Sequence, residues 1–154
     1  MRLHIGRADT PAQIEQCMSI REAVFVTEQG VAPELERDGK DGDAIHYLAA
    51  DDDDAVATAR VMVQPDIFKF QRVAVLGRVR GTGVGAAIMR FMMDDLASLP
   101  DAGDKRFFLS SQVAAIPFYE KLGFSVCSDE YQDAGIAHRD MVADIGWTDG
   151  ALPS

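Results

Sequence analysis

Arg72-Val73-Ala74-Val75-Leu76-Gly77-Arg78-Val79-Arg80-Gly81-Thr82-Gly83-Val84-Gly85 is the stretch that decides the fold. A β-branched run enters a basic, glycine-rich turn. Behind it Val84, Ile88, Phe91, Met92, Leu96 and Leu99 recur at helical spacing. Glycines clear side chains away so that several backbone N–H groups can converge on one anion, and the helix N-terminus adds roughly half a positive charge. Arg78 and Arg80 supply cations. Three glycines at alternate positions exceed what any turn type requires, so the turn reads as a holder of phosphate or pyrophosphate. No lysine follows the glycines as a Walker loop demands. The dinucleotide fingerprint is met literally by Gly81, Gly83 and Ala86. Its setting is wrong, since the turn falls halfway along the chain and no acidic residue follows the next strand.

Outward from this turn the chain alternates strands and helices. Phe68–Val75 is a strand rich in aromatic and β-branched residues. The helix opened at Val84 presents Arg90, Asp94, Asp95 and Ser98 outward and stops at Pro100, with Met89, Met92 and Met93 as core filler. Upstream, Leu3 and Ile5 start a short strand. Thr10-Pro11 starts a helix with Ile14, Cys17, Met18, Val24 and Phe25 on its apolar face and Gly30 at its end. Residues 30–43 form a loop of a kind that tends to be functional. Ile45–Ala50 and Ala55–Val63 make a hairpin whose tip, Asp51–Asp54, is a solvated charge run. Downstream come a strand at Arg106–Leu109, a helix at Ala114–Leu122 closed by Gly123, strands at Phe124–Cys127 and Ile136–Ile145, and a short tail. The pattern predicts an α/β (α+β) chain with mixed strands.

With 154 residues, 47% apolar and 26% charged, the chain makes one domain over 1–154 and is too hydrophobic for disorder. It holds no apolar run of about 18 residues, and its N-terminus lacks the apolar centre of a signal peptide. A soluble, cytoplasmic protein is expected. The net charge of −10 repels phosphate backbones and anionic lipids, which argues against nucleic-acid and membrane partners and favours cations such as amines. Cys17 and Cys127 form neither a disulfide framework nor a metal-ligand spacing, and no metal is expected. Both read as packed thiols.

The spacing Arg80-x-x-Gly83-x-Gly85, opening a helix after a strand, resembles the acetyl-CoA motif of the GNAT family of N-acetyltransferases. Ala115-Ile116-Pro117-Phe118-Tyr119-Glu120-Lys121-Leu122-Gly123-Phe124 is similar to that family's C-terminal signature. Arg21–Gln29, Asp38-Gly39, His46 and Tyr131–His138 resemble its ElaA-like branch. The resemblance implies a single-domain GNAT-like acyl-CoA N-acyltransferase fold, with a central mixed, largely antiparallel sheet flanked by helices. It also implies acetyl-CoA as co-substrate and direct transfer to a primary amine of a small molecule or peptide in a ternary complex. By the same resemblance the pyrophosphate lies on Arg80, Gly81, Thr82, Gly83, Val84, Gly85 and Ala86. The pantetheine arm pairs with Val73, Ala74 and Val75, and Gln112 and Phe118 touch the cofactor. A homodimer is expected from the habit of such families alone.

Tyr119 stands at the signature's tyrosine and is the expected general acid, a phenol being protonated at neutral pH. The strand before the turn, Phe68-Lys69-Phe70-Gln71-Arg72, carries no carboxylate to serve as base. The base therefore comes from elsewhere or acts through water: Glu28, Glu36, Asp38, His46 and His138 are the candidates, with Glu28 and His46 leading as base or substrate residues and Glu36, Asp38 and His138 also candidates for meeting the substrate. A lone strand histidine is also often a structural hydrogen-bonder. Two other functions remain open at this level: a non-catalytic acyl-CoA sensor, and nucleotide-dependent redox chemistry.

Overall fold

A computed structural model describes residues 1–145. Strands form where the sequence is β-branched or alternating: β1 (Leu3–Arg7), β2 (Ile45–Asp51), β3 (Asp54–Val63), β4 (Ile67–Val75), β5 (Arg106–Gln112), β6 (Ser125–Val126), β7 (Tyr131–Asp133) and β8 (Ile136–Asp144). They make one sheet in the order β1-β2-β3-β4-β5-β8-β6, with β7 paired to β8. Every pairing is antiparallel except β4 with β5. Val56, Ala57, Thr58, Ala59, Arg60 and Val61 are all buried because β3 is covered on both faces. Val84, Ile88, Met89, Met92 and Leu96 of α3 (Val84–Ala97) pack with Tyr47, Ala57, Ala59 and the sheet phenylalanines in the main core. Ile20 and Val24 pack on Ala74 in a separate cluster.

The first helix begins as its sequence requires. Thr10 caps α1 (Pro11–Arg21) in a reciprocal capping box with Gln13. It does not continue as a regular helix to Gly30, however. Residues Glu22–Glu28 widen into a π-helical turn, with Gln29 N donating to Val24 O at 3.1 Å. Such turns cluster at functional sites. Cys17, Ile20 and Val24 are buried as the apolar face, yet Arg21 is buried beside them at 1% exposure. The loop over 30–43 contains a short helix, α2 (Pro33–Glu36).

Elsewhere the structure corrects several readings. In α3 the methionines fill the core, but Phe91 is 36% exposed and only lays its ring against the edge of Tyr47. Asp95 is not outward: it accepts hydrogen bonds from Tyr47 Oη at 2.6 Å and Arg7 Nε at 2.7 Å. The helix of the second motif is a single turn, α4 (Ile116–Glu120), with Pro117 in its first turn where a missing N–H is tolerated. Cys127 lies beyond the short β6 and is exposed, so it is not a packed thiol. The tail after the last strand lies outside the described residues.

Candidate active site

Parallel pairing of β4 with β5 runs from Ile67↔Arg106 to Phe70↔Leu109 and stops. Both strands continue, β4 to Val75 and β5 to Gln112, without each other. The cause lies in β4. Arg72 adopts a left-handed φ of 55°, and Arg72 and Val73 together stand opposite Ala59, an irregularity that bends the strand away. The parting strands open a cleft of about 1090 Å³. The β5-facing edge of Gln71–Val75 is left with unpaired backbone groups, a template for an extended ligand.

At one end of the cleft stands the N-terminus of α3. Its cap is Gly83, at φ 91°, with no side-chain hydrogen bond to the first turn. The amides of Val84, Gly85 and Ala86 therefore have no intrahelical acceptor. An added Cβ on Gly81 or Gly83 would meet nothing within 4 Å, so the cradle is open as well as glycine-shaped. Gly85 is different: a Cβ there would lie 3.2 Å from the Phe118 ring, which fixes how closely α3 and α4 approach. Arg80 donates Nε to Val75 O at 3.0 Å and pairs with Glu28 at 2.8 Å.

Tyr119 lies in the cleft wall between the rings of Phe118 and Phe124. Among the described residues nothing hydrogen-bonds its hydroxyl. Burial raises its pKa well above the ordinary tyrosine value, so the phenol stays protonated. Gln112 also lines the cleft and donates Nε2 to Gln29 Oε1 at 3.0 Å, linking β5 to the residue that ends the π-helical turn.

Most sequence candidates meet at this cleft: Val73, Val75, Arg80, Gly81, Gly83, Gly85, Ala86, Gln112, Phe118 and Tyr119, with Glu28, Glu36, Asp38 and His138. Ala74 and Val84 turn into the apolar clusters, and Thr82 caps Val79 O with its hydroxyl. His46 is not among the lining residues. It is buried on β2 with Nε2 on Asp41 O at 2.9 Å, so its ring ties the preceding loop to the strand.

Glu36 and Asp38 belong to a network that periodicity did not reveal. Arg21 pairs with Glu36 and, at 2.6 Å, with Asp41. Arg60, wholly buried, reaches Asp38 at 2.6 Å, Asp41 at 2.9 Å and Gln71 at 2.8 Å. Arg72 adds its guanidinium to the carbonyl of Glu36 at 3.0 Å. The hydrogen bond from Arg60 holds the Asp38 carboxyl far below the carboxylate range. Burial alone would raise Asp41, but hydrogen bonds from Arg21 and Arg60 outweigh it and bring its pKa down. Both are locked anions. The signal for this cluster was an arginine in an otherwise apolar strand and another on an apolar helix face. Among the described residues no group of three His, Cys, Asp or Glu side chains is placed to hold a metal.

A profile of the Acetyltransferase (GNAT) domain family matches residues 9–145. The chain belongs to the GNAT family. It is 36% identical to the Uncharacterized N-acetyltransferase YjcF of Bacillus subtilis (strain 168) over 138 residues, covering 89% of this chain and 96% of that one. It is 31% identical to Protein ElaA of Escherichia coli (strain K12) over 139 residues, 87% and 89% of the two chains. The crystal structure of Escherichia coli ElaA superposes with a TM-score of 0.82, covering 92% of this chain and 99% of that one. An Acyl-CoA N-acyltransferase from Pseudomonas aeruginosa, 25% identical, superposes at 0.78 over 92% and 97%. This GNAT chain is an acyltransferase, and its fold is that of the acyl-CoA N-acyltransferases, a mixed sheet flanked by helices. No helix among the described residues is long and apolar enough to cross a membrane.

Proposed function

We propose that this acyltransferase moves the acetyl group of acetyl-CoA directly to a primary amine of a small molecule or peptide, with both substrates bound at once. The observation that carries the reading is the shared cleft: parted β4 and β5, an uncapped glycine cradle at one end, and the Tyr119 phenol in the wall. Family membership and the naming of the Pseudomonas aeruginosa relative as an acyl-CoA enzyme support it.

The residues suit the co-substrate. Free first-turn amides on α3 and the Arg80 guanidinium would receive the pyrophosphate, an anion at a helix N-terminus. The unpaired edge of β4 at Val73–Val75 would pair with the amides of the pantetheine arm, as an added strand does. Free amides on that edge would also polarise the thioester carbonyl. Tyr119, raised by burial, is protonated whenever thiolate character develops and donates to the departing sulfur. Cys17 is fully buried under Tyr47 O and has no access for an acyl-enzyme.

The net charge of −10 favours cationic acceptors such as polyamines or lysine side chains. Incubation with acetyl-CoA and an amine panel, read as free thiol, tests the proposal. Amine-dependent thiol release with a salt-sensitive preference for cations is expected. Thiol release that no amine stimulates would overturn it in favour of an acyl-CoA sensor.

A further inference from the structure

We propose that His138 is the general base that takes the proton from the acceptor amine, an assignment resting on the acetyl-transfer reading above. Its tautomer is fixed by the backbone. Nδ1 lies 2.7 Å from Ile136 O, and a carbonyl can only accept, so Nδ1 carries the proton and Nε2 keeps its lone pair. The ring stacks on Tyr131 at 24° between planes, with centroids 6.1 Å apart, which fixes its orientation. Tyr131 is in turn pinned by Asp140, whose Oδ1 also accepts Ser110 Oγ at 2.7 Å. His138 pairs across the sheet with Gln112, at the end of the parted β5, and lines the same cleft as Tyr119. Among the described residues nothing bonds its Nε2.

Of the carboxylates that sequence put forward, Glu36 is held by Arg21 and Asp38 by Arg60, while Glu28 pairs with Arg80 until a pyrophosphate competes for it; Asp133 also lines the cleft. His46 must carry its proton on Nε2, which faces the carbonyl of Asp41, and its ring does not line the cleft. Each of the two imidazoles that sequence put forward keeps one nitrogen without a partner, buried Nδ1 in His46 and Nε2 in His138, but of the two only His138 lines the cleft. The titratable groups around His138 are Tyr131 and Asp133 on β7 and Asp140 two residues along its own strand; Gln112 faces it from β5 as a neutral amide. Of these, Asp133 lines the cleft and gives an ammonium acceptor a carboxylate to meet; the cations in the cleft lining are Lys69, Arg72 and Arg80.

The step balances. The acceptor ammonium gives one proton to Nε2, and the freed amine attacks the thioester carbon. A C–N bond forms, the C–S bond breaks, and the thiolate takes the phenolic proton of Tyr119. The proton still on nitrogen leaves to water, and water recharges Tyr119. The products are an amide, a thiol and one proton, held on His138 until it returns to solvent.

The test is the pH dependence of kcat/KM for the wild type and His138→Gln, using an alkylamine that the wild type acetylates. Thermal stability and acetyl-CoA affinity certify the folded variant, and His138→Asn replaces it if it fails to fold. The variant can use only acceptor that is already unprotonated. Its deficit should be about 10²–10⁴-fold at pH 7 and should shrink about tenfold per pH unit toward the pKa of the amine, while the wild type stays level over the same span. A deficit constant with pH would show a structural role, and an undiminished variant would show none; either overturns the proposal. A wild type that acetylates no amine would instead overturn acetyl transfer itself, and the base with it.

Discussion

Tyr119 offers the cleft a phenol hydroxyl free of protein partners, so Tyr119→Phe deletes one oxygen and leaves the packing on Phe118 and Phe124 in place. The expected outcome is a fall in kcat of about 10²–10³-fold with acetyl-CoA affinity within about twofold, measured by thiol release and calorimetry. Because burial raises this phenol, the wild type should show no loss of activity through the ordinary tyrosine range near pH 10. A decline there would place the acid elsewhere. Tyr119 was legible because a motif spanning ten residues surrounds it. The roles of the two histidines were not, since alternation places a ring on a strand without saying which carbonyl it meets. Asp41 O takes one nitrogen of His46 and Ile136 O takes one of His138, and what separates them is place: His46 is buried away from the cleft, which His138 lines.

Among the elements, the glycine turn and the strand before it were readable because each makes its own local demand: β-branched residues, then glycine, then helical period. The parting of β4 from β5 was not, because it depends on a left-handed arginine, a residue type that gives no sign of a positive φ. Glu22–Glu28 was hidden for a similar reason, as a π-helical turn keeps the composition of a helix and shifts only its phase. Gly85→Ala places a Cβ 3.2 Å from Phe118 and pushes that ring within the cleft, so acetyl-CoA should bind about 3–30-fold more weakly by calorimetry. Glu28 and a pyrophosphate would compete for Arg80, so Glu28→Gln should tighten acetyl-CoA binding and Arg80→Ala should loosen it, with the difference fading at high salt.

Across the whole molecule, the two apolar clusters hold the sheet, and the arginine–carboxylate network joins α1, the loop behind it, β3 and β4 at the wall of the cleft. Arg60→Leu would take the main partner from Asp38 and leave Asp41 to Arg21, so a loss of about 1–3 kcal/mol is expected in denaturant unfolding. Asp38 and Asp41 have lowered pKa values in the folded chain. Their contribution is therefore complete above the unfolded carboxylate range, about pH 4, and is lost as pH falls below it. The melting temperature should drop on that acid side, and less so in Asp38→Asn. The general architecture was legible from period and punctuation, whereas the network was not: Arg21 and Arg60 stand on apolar faces, but nothing in the sequence says which distant carboxylates they meet. Titrating the purified protein with acetyl-CoA in a calorimeter, with NAD as control, asks whether the parted strands and the glycine cradle hold acetyl-CoA. Saturable acetyl-CoA binding that raises the melting temperature, with no response to NAD, is the predicted result. Binding of NAD without acetyl-CoA, or of neither, would contradict it.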